Sequence, residues 1–345
     1  MIVEDSLVVR ELLTHIISRD PRFQVAAAVA SGEEALSEIA AIRPDVVSMD
    51  IRLPGIDGLE ATRRIMTEHP TPIVVIADAV QDQSLKISMH ALRAGALSVV
   101  EKPVGVASAA YERIAETITT QLFIMSSVPV IRRRSFAAPA ASDAAPPVPN
   151  AAFKGPSFVA LAASTGGPPA LAKVLEALPP DFDAAVFIVQ HMGAAFMEGF
   201  AAWLNGLSPL PVMLAVDGAQ AQPGRAYVAP GDRHLAIDGG GVMRLTDEAP
   251  IASQRPSANR LFSSLARSAG PRTVGVLLTG MGEDGAEGLL SLRRAGGYTI
   301  AEHKSTAVVY GMPAAAARLK AGREILPLDA IGRRIAQLAR RPAEA

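Results

Sequence analysis

The chain has 345 residues, 49% of them hydrophobic, a formal net charge of -1 and no cysteine. Such a length suggests two or three domains with ample material for packed cores. The near-zero charge gives no general attraction to nucleic acid or an anionic membrane, and the lack of cysteine excludes a disulfide scaffold and any thiolate metal site. No apolar run of about 18 residues occurs and the N-terminus lacks the sections of a signal peptide, so cytoplasmic residence without direct membrane insertion is expected.

Residues 1 to 120 alternate strand and helix signals. Met1 to Val3 reads as a strand, Ser6 to Ser18 as a helix, Val25 to Val29 as a strand, Glu33 to Ala41 as a helix and Val46 to Met49 as a strand. This is a parallel α/β layout. Glu4 and Asp5 follow the first strand and Asp50 the third, so three carboxylates are expected to converge at one sheet edge. Such a cluster suits Mg²⁺, which prefers oxygen ligands and keeps several waters. The alternative, in which Asp5 merely caps the next helix, leaves Asp50 unexplained.

The same residues resemble a response-regulator receiver. Glu4-Asp5-Ser6 is similar to its acidic pair, Met49-Asp50-Ile51-Arg52-Leu53-Pro54-Gly55 to its phospho-acceptor strand and loop, and Glu101-Lys102-Pro103 to its lysine motif. The resemblance implies a flavodoxin-like sheet over 1–124. It also implies attack by Asp50 on the phosphohistidine of a histidine kinase, Mg²⁺ held by Glu4, Asp5 and Asp50, and a phosphoryl oxygen bound by Lys102. The need is electrostatic, because transfer to a carboxylate brings negative groups together. Two positions depart from the pattern. Ala77 stands where the family places a Ser or Thr hydroxyl that bonds the phosphoryl group, and Val99 stands where many receivers carry an aromatic switch residue. Weakened coupling with intact acceptor chemistry is therefore expected. The first strand is short, and a trimmed start is one reading of that.

A helix from about Ala107 to Ile124 closes this region. Residues 125–156 then turn rich in Pro, Ala and Ser around Arg132-Arg133-Arg134, a composition that cannot bury a core and reads as a linker with a solvated charge run.

The third segment, 157–345, opens on Phe158 to Ala163, an apolar run of strand length that stops at Ser164-Thr165-Gly166-Gly167-Pro168. Ser164 sits at the tip of the strand, the glycines permit a tight turn, and Pro168 suits the first helical position. An exposed serine there is a candidate nucleophile. The stretch is close to the Gly-x-Ser-x-Gly elbow with its strained serine, although Ala162 replaces the first glycine; a helix cap or a phosphate-binding loop is the competing reading. Ala185 to Gln190 is a second buried strand ending at His191. Thr273 to Leu278 is a third, followed by Thr-Gly-Met-Gly-Glu-Asp-Gly with Asp284 just before a helix. Three strand ends thus deliver Ser, His and Asp to the edge where open parallel sheets bind ligands, in a doubly wound, mainly parallel domain. Their order differs from the Ser, Asp, His of α/β-hydrolases. His234 reads as the start of a hairpin whose second strand is Val242 to Leu245, and His303 as part of a solvated loop. Asp284 can cap its helix and still orient an imidazole.

Ala-Ser-Thr-Gly-Gly-Pro (163 to 168), Gln-His-Met (190 to 192), Tyr-Val-Ala-Pro-Gly (227 to 231), Leu-Thr-Gly-Met-Gly-Glu-Asp-Gly-Ala (278 to 286) and Tyr-Gly-Met-Pro (310 to 313) resemble the catalytic domain of the chemotaxis protein-glutamate methylesterase family. The resemblance implies hydrolysis of glutamate methyl esters on methyl-accepting chemoreceptors, and deamidation of receptor glutamines, by a cytoplasmic enzyme recruited to membrane receptors. Ester hydrolysis then needs no cofactor. Ser164 is the expected nucleophile, His191 the base and Asp284 its orienter. Backbone donors at Thr165, from its place after the nucleophile, and at Met281, from the resemblance, are expected to form the oxyanion site. Asn259 replaces the aspartate usual in Arg-Pro-Ser-x-Asp, and Glu302-His303-Lys304 a stretch normally read as Gln-Asp-Glu, changes expected to bear on substrate contacts or the receiver interface. A catalytically idle binding module and a hydrolase of another ester are the competing classes. A DNA-binding regulator is disfavoured by the lack of a basic recognition helix.

Overall fold

The computed structural model describes residues 1–77, 92, 94–103, 111–128, 153 and 155–339. Most of the expected linker, with its arginine triplet, lies outside them. The chain divides into two compact units, Met1–Ala145 and Pro146–Ala345.

In the first unit, strands β1 (Ile2–Val3), β2 (Ala28–Val29), β3 (Val47–Asp50), β4 (Ile73–Ala77) and β5 (Ser98–Glu101) form a parallel sheet of order β2-β1-β3-β4-β5. Every residue of β3 and β4 is buried, as apolar strands covered on both faces require. Helices Leu7–Ser18, Gly32–Ile42, Gly58–Glu68 and Tyr111–Ser126 flank it. The first three start at side-chain caps, Ser6, Ser31 and Asp57, each accepting a backbone N–H one turn on. Ser6 takes the capping position, so Asp5 stays free for the sheet edge. The strand expected over Val25 to Val29 is only two residues long, because its partner β1 offers only Ile2 and Val3 to pair with. Of the helix expected from Ala107, the first four residues lie outside those described.

In the second unit, seven strands run in the order β14-β13-β12-β6-β7-β9-β8, and all their pairings are parallel. Their ranges are β6 (Phe158–Ala163), β7 (Ala185–Gln190), β8 (Val212–Leu214), β9 (Ala226–Val228), β12 (Thr273–Leu277), β13 (Tyr298–Glu302) and β14 (Glu324–Leu326). A separate antiparallel hairpin joins β10 (His234–Ile237) to β11 (Met243–Thr246). Its second strand starts one residue later than the pattern predicts, because the Val242 N–H is taken by the Asp238 carboxylate in the turn. Helices Gly167–Glu176, Met197–Asn205, Ala258–Ala269, Ala286–Arg294, Met312–Arg318 and Leu328–Ala339 complete the unit.

The core lies against the central strands, where Phe187, Phe262, Leu277 and Leu289 are fully buried. From β6 the chain proceeds to β7 on one side and later returns to place β12 on the other. The C-terminal ends of strands at such a reversal, here β6 and β12, are the usual ligand position in parallel sheets. Among the described residues no helix is long and apolar enough to cross a membrane.

Candidate active site and acceptor pocket

Ser164 follows β6 directly and is half-buried. Its N–H donates to Thr279 O at 3.0 Å, and the Gln190 side-chain amide donates to both Ser164 O (2.8 Å) and His191 O (3.0 Å), tying the ends of β6 and β7 together. Gly280 makes the fit possible from the β12 side, since a Cβ there would stand 2.7 Å from Ser164 Cβ. The turn departs from the expected strained elbow: left-handed backbone falls at Gly166 (φ 74°) and Ser164 does not share it. Ala162 is therefore tolerated inside regular strand, paired with Leu277 and Val189.

His191 lies one residue beyond β7, and its Nε2 is 2.9 Å from Asp284 Oδ2, both side chains being nearly inaccessible. Asp284 in turn sits at the N-terminus of helix Ala258–Ala269. Ser257 Oγ (2.7 Å) and Asn259 N (3.1 Å) donate to its Oδ1, and Ala258 N (2.6 Å) donates to Oδ2. Burial pushes the Asp284 carboxyl up, but the bonds from His191, Ser257 and the helix N–H groups outweigh it and hold the group below its ordinary value. An ionised Asp284 fixes the proton of His191 on Nε2 and leaves a lone pair on Nδ1. That Nδ1 is buried, has no partner among the described residues, and makes no hydrogen bond with Ser164 Oγ.

Thr165 is buried and its carbonyl accepts the Thr279 hydroxyl, whereas Met281 is half exposed. Among the described residues the N–H groups of both are left without a hydrogen bond. Thr165 directly follows the serine, and Met281 directly follows Gly280, which packs against it.

In the first unit, one oxygen each from Glu4, Asp5 and Asp50 lies within 4.8 Å of the other two. Glu4 and Asp50 are buried and Asp5 is exposed. Lys102 Nζ stands 3.0 Å from Glu4 Oε2 and 3.0 Å from Asp50 Oδ2. Burial pushes both carboxyls up, reinforced at Glu4 by the Asp50 charge, although Lys102 opposes the shift. Burial works against the ammonium, but the two carboxylates prevail and raise it. An all-carboxylate donor set in which one lysine leaves negative charge uncompensated fits a hard dication.

Residues 159–335 match the family described as CheB methylesterase, and residues 1–110 match the response regulator receiver domain. The chain belongs to the CheB methylesterase family. The protein-glutamate methylesterase/protein-glutamine glutaminase 2 of Paramagnetospirillum magneticum is 51% identical over 341 residues, covering 98% of this chain and 97% of that protein. The corresponding protein 4 of Myxococcus xanthus is 42% identical over 336 residues, covering 97% and 95%. The crystal structure of the Thermotoga maritima CheB methylesterase catalytic domain is 35% identical, covers 53% of this chain and 98% of that one, and aligns with a TM-score of 0.52. The two α/β sheets expected of a receiver followed by a CheB-type esterase are thus borne out.

The residues that hold the His191–Asp284 pair in place went unassigned in the sequence. Ser257 was readable only as a helix cap. His234, expected to begin a hairpin, does so, and it is also fully buried behind the site, with Nδ1 accepting Ser257 N–H at 3.2 Å and Nε2 donating to Ala249 O at 3.1 Å. Asn259, expected to bear on substrate contacts or the receiver interface, accepts Gly288 N–H at 2.7 Å and so joins two helices. His303 turns toward Ser305.

Proposed function

We propose that the chain removes methyl groups from glutamyl esters of chemoreceptors and deamidates selected receptor glutamines, using Ser164, His191 and Asp284. The observation that carries the reading is the buried His191–Asp284 pair at a helix N-terminus, one strand from Ser164. Ser164 Oγ attacks the γ-carbonyl carbon while its proton passes to His191 Nδ1. The carbonyl oxygen becomes an oxyanion received by Thr165 and Met281 N–H. Asp284 steadies the imidazolium, which then protonates the leaving methoxide oxygen to give methanol, or the leaving amide nitrogen of a glutamine to give ammonia. Water attacks the acyl-serine with the same base, yielding glutamate and free Ser164.

The domain assignment is a receiver over 1–124, a linker over 125–156 and the esterase over 157–345. The receiver takes its phosphoryl group on Asp50 from a chemotaxis histidine kinase, with Lys102 on a phosphoryl oxygen and Glu4, Asp5 and Asp50 as ligands for Mg²⁺. When bound, the cation offsets phosphoryl charge. The protein works in the cytoplasm and docks on membrane receptors without inserting. Methanol release from methylated receptor membranes, with and without a phosphodonor, tests the reading. Release that rises with the donor is expected; receptors that keep their methyl groups overturn it.

A further inference from the structure

Behind the nucleophile turn lies a carboxyl that the ester chemistry does not use. Glu302 ends β13 and is fully buried. Its Oε2 accepts Thr279 N–H at 2.8 Å, while Oε1 is buried with no hydrogen-bond partner among the described residues. Thr279 is the residue on which the turn rests. Its carbonyl receives Ser164 N–H at 3.0 Å, its hydroxyl donates to Thr165 O at 2.9 Å and accepts Val309 N–H at 2.9 Å, and Gly280, packed against Ser164, comes next. One hydrogen bond therefore separates Glu302 from the atoms that fix both the nucleophile and a candidate oxyanion donor.

Little faces Glu302 that would stabilise its charge. Lys173, on the helix Gly167–Glu176, acts on it at a distance and is itself paired with Asp329. The Thr306 hydroxyl faces it, His303 is turned toward Ser305, and Lys304 is exposed.

We propose that Glu302 is a positioning residue for Ser164, holding the Thr279–Gly280 turn under the nucleophile while its carboxyl is protonated and loosening it on ionisation. The proposal rests on the reading of Ser164 as nucleophile. Burial pushes the Glu302 carboxyl up, outweighing the Thr279 N–H and Thr306 contacts and the Lys173 charge. A locally opened form, with the carboxyl in water, keeps the ordinary value of about 4.5. Rising pH must then shift population from the closed turn to the open one, from the ordinary value until the raised value is passed. A group raised in the folded state lends stability at low pH that is lost across that window.

The test compares the full-length wild type with E302Q and E302A, by methanol release and by thermal unfolding, from about pH 5 to about pH 9. E302Q keeps an acceptor for Thr279 N–H and cannot ionise. The ratio of its kcat to that of wild type should climb about threefold or more with pH while the KM ratio stays level. Its unfolding temperature should gain on wild type over the same range. E302A, which lacks the acceptor, should lose kcat at every pH, so that glutamine rescues what alanine does not. Coincident kcat profiles for wild type and E302Q, or a stability difference independent of pH, overturn the proposal. A wild type that releases no methanol at any pH overturns instead the reading of Ser164, and the unfolding comparison still decides whether Glu302 ionises in place.

Discussion

At the scale of single residues, each member of the proposed triad has a separable signature. Ser164→Ala removes the proposed nucleophile with little change in volume, so kcat should fall about 10³-fold or more while the unfolding temperature holds. Residual methanol release within about tenfold of wild type would refute the assignment. Asp284→Asn presents an amide, in place of an anionic acceptor, to His191 and to the helix N–H groups, and a loss at least as large is expected. It also has a stability signature. The folded state holds Asp284 below its ordinary value of 3.8, so the stability it supplies is present above that value and lost as pH falls through the depressed one. Wild type should therefore exceed Asp284→Asn in stability at neutral pH, with the gap closing in acid; a constant gap would mean that the carboxylate is not what the helix N-terminus holds.

At the scale of elements, the strands were legible and the support of the site was not. Unbroken apolar runs at Phe158–Ala163 and Ala185–Gln190 announce strands covered on both faces, and residues just past such runs must emerge at the sheet edge. The seat of Asp284 on Ser257, Ala258 and Asn259 depends on where another helix begins in space, 26 residues away for Ala258, and no local pattern encodes it. The elbow motif supposes strain at the serine, while here Gly166 takes the left-handed backbone. Ser257 joins these levels, capping the helix through Arg260 N–H while donating to Asp284. Ser257→Ala should lose about 1 kcal/mol as a missing cap, and about 1–3 kcal/mol in all if Asp284 Oδ1 is left short of a partner. Denaturant unfolding reads the stability and methanol release the accompanying fall in kcat. Ser257→Thr should restore most of both, and an activity loss without a stability loss would separate Ser257 from its capping role.

At the scale of the whole molecule, the proposed control by the receiver turns on Asp50 as acceptor and on Ala77. With Mg²⁺ and a small phosphodonor, wild type should become labelled at Asp50 and Asp50→Asn should not; equal labelling would place the acceptor elsewhere. Ala77 ends β4, is almost fully buried, and accepts Lys102 N–H through its carbonyl at 2.9 Å, so its side chain belongs to the strand beside the lysine that reaches Asp50. The receiver resemblance implies a hydroxyl at this position that bonds the phosphoryl group, and a methyl group cannot do so. Phosphorylation shifts a two-state equilibrium only by its differential interaction with the two states, and this interaction is missing. A hydrogen bond to a charged group contributes about 1.5–3 kcal/mol, enough to change a two-state ratio about tenfold or more. Stimulation of methanol release by phosphodonor should therefore be modest in wild type and larger in Ala77→Thr or Ala77→Ser. The comparison is made at matched phosphorylation of Asp50, because the hydroxyl also bears on phosphoryl lifetime. Strong activation of wild type with no gain in either variant would mean that the signal leaves the acceptor pocket through another element.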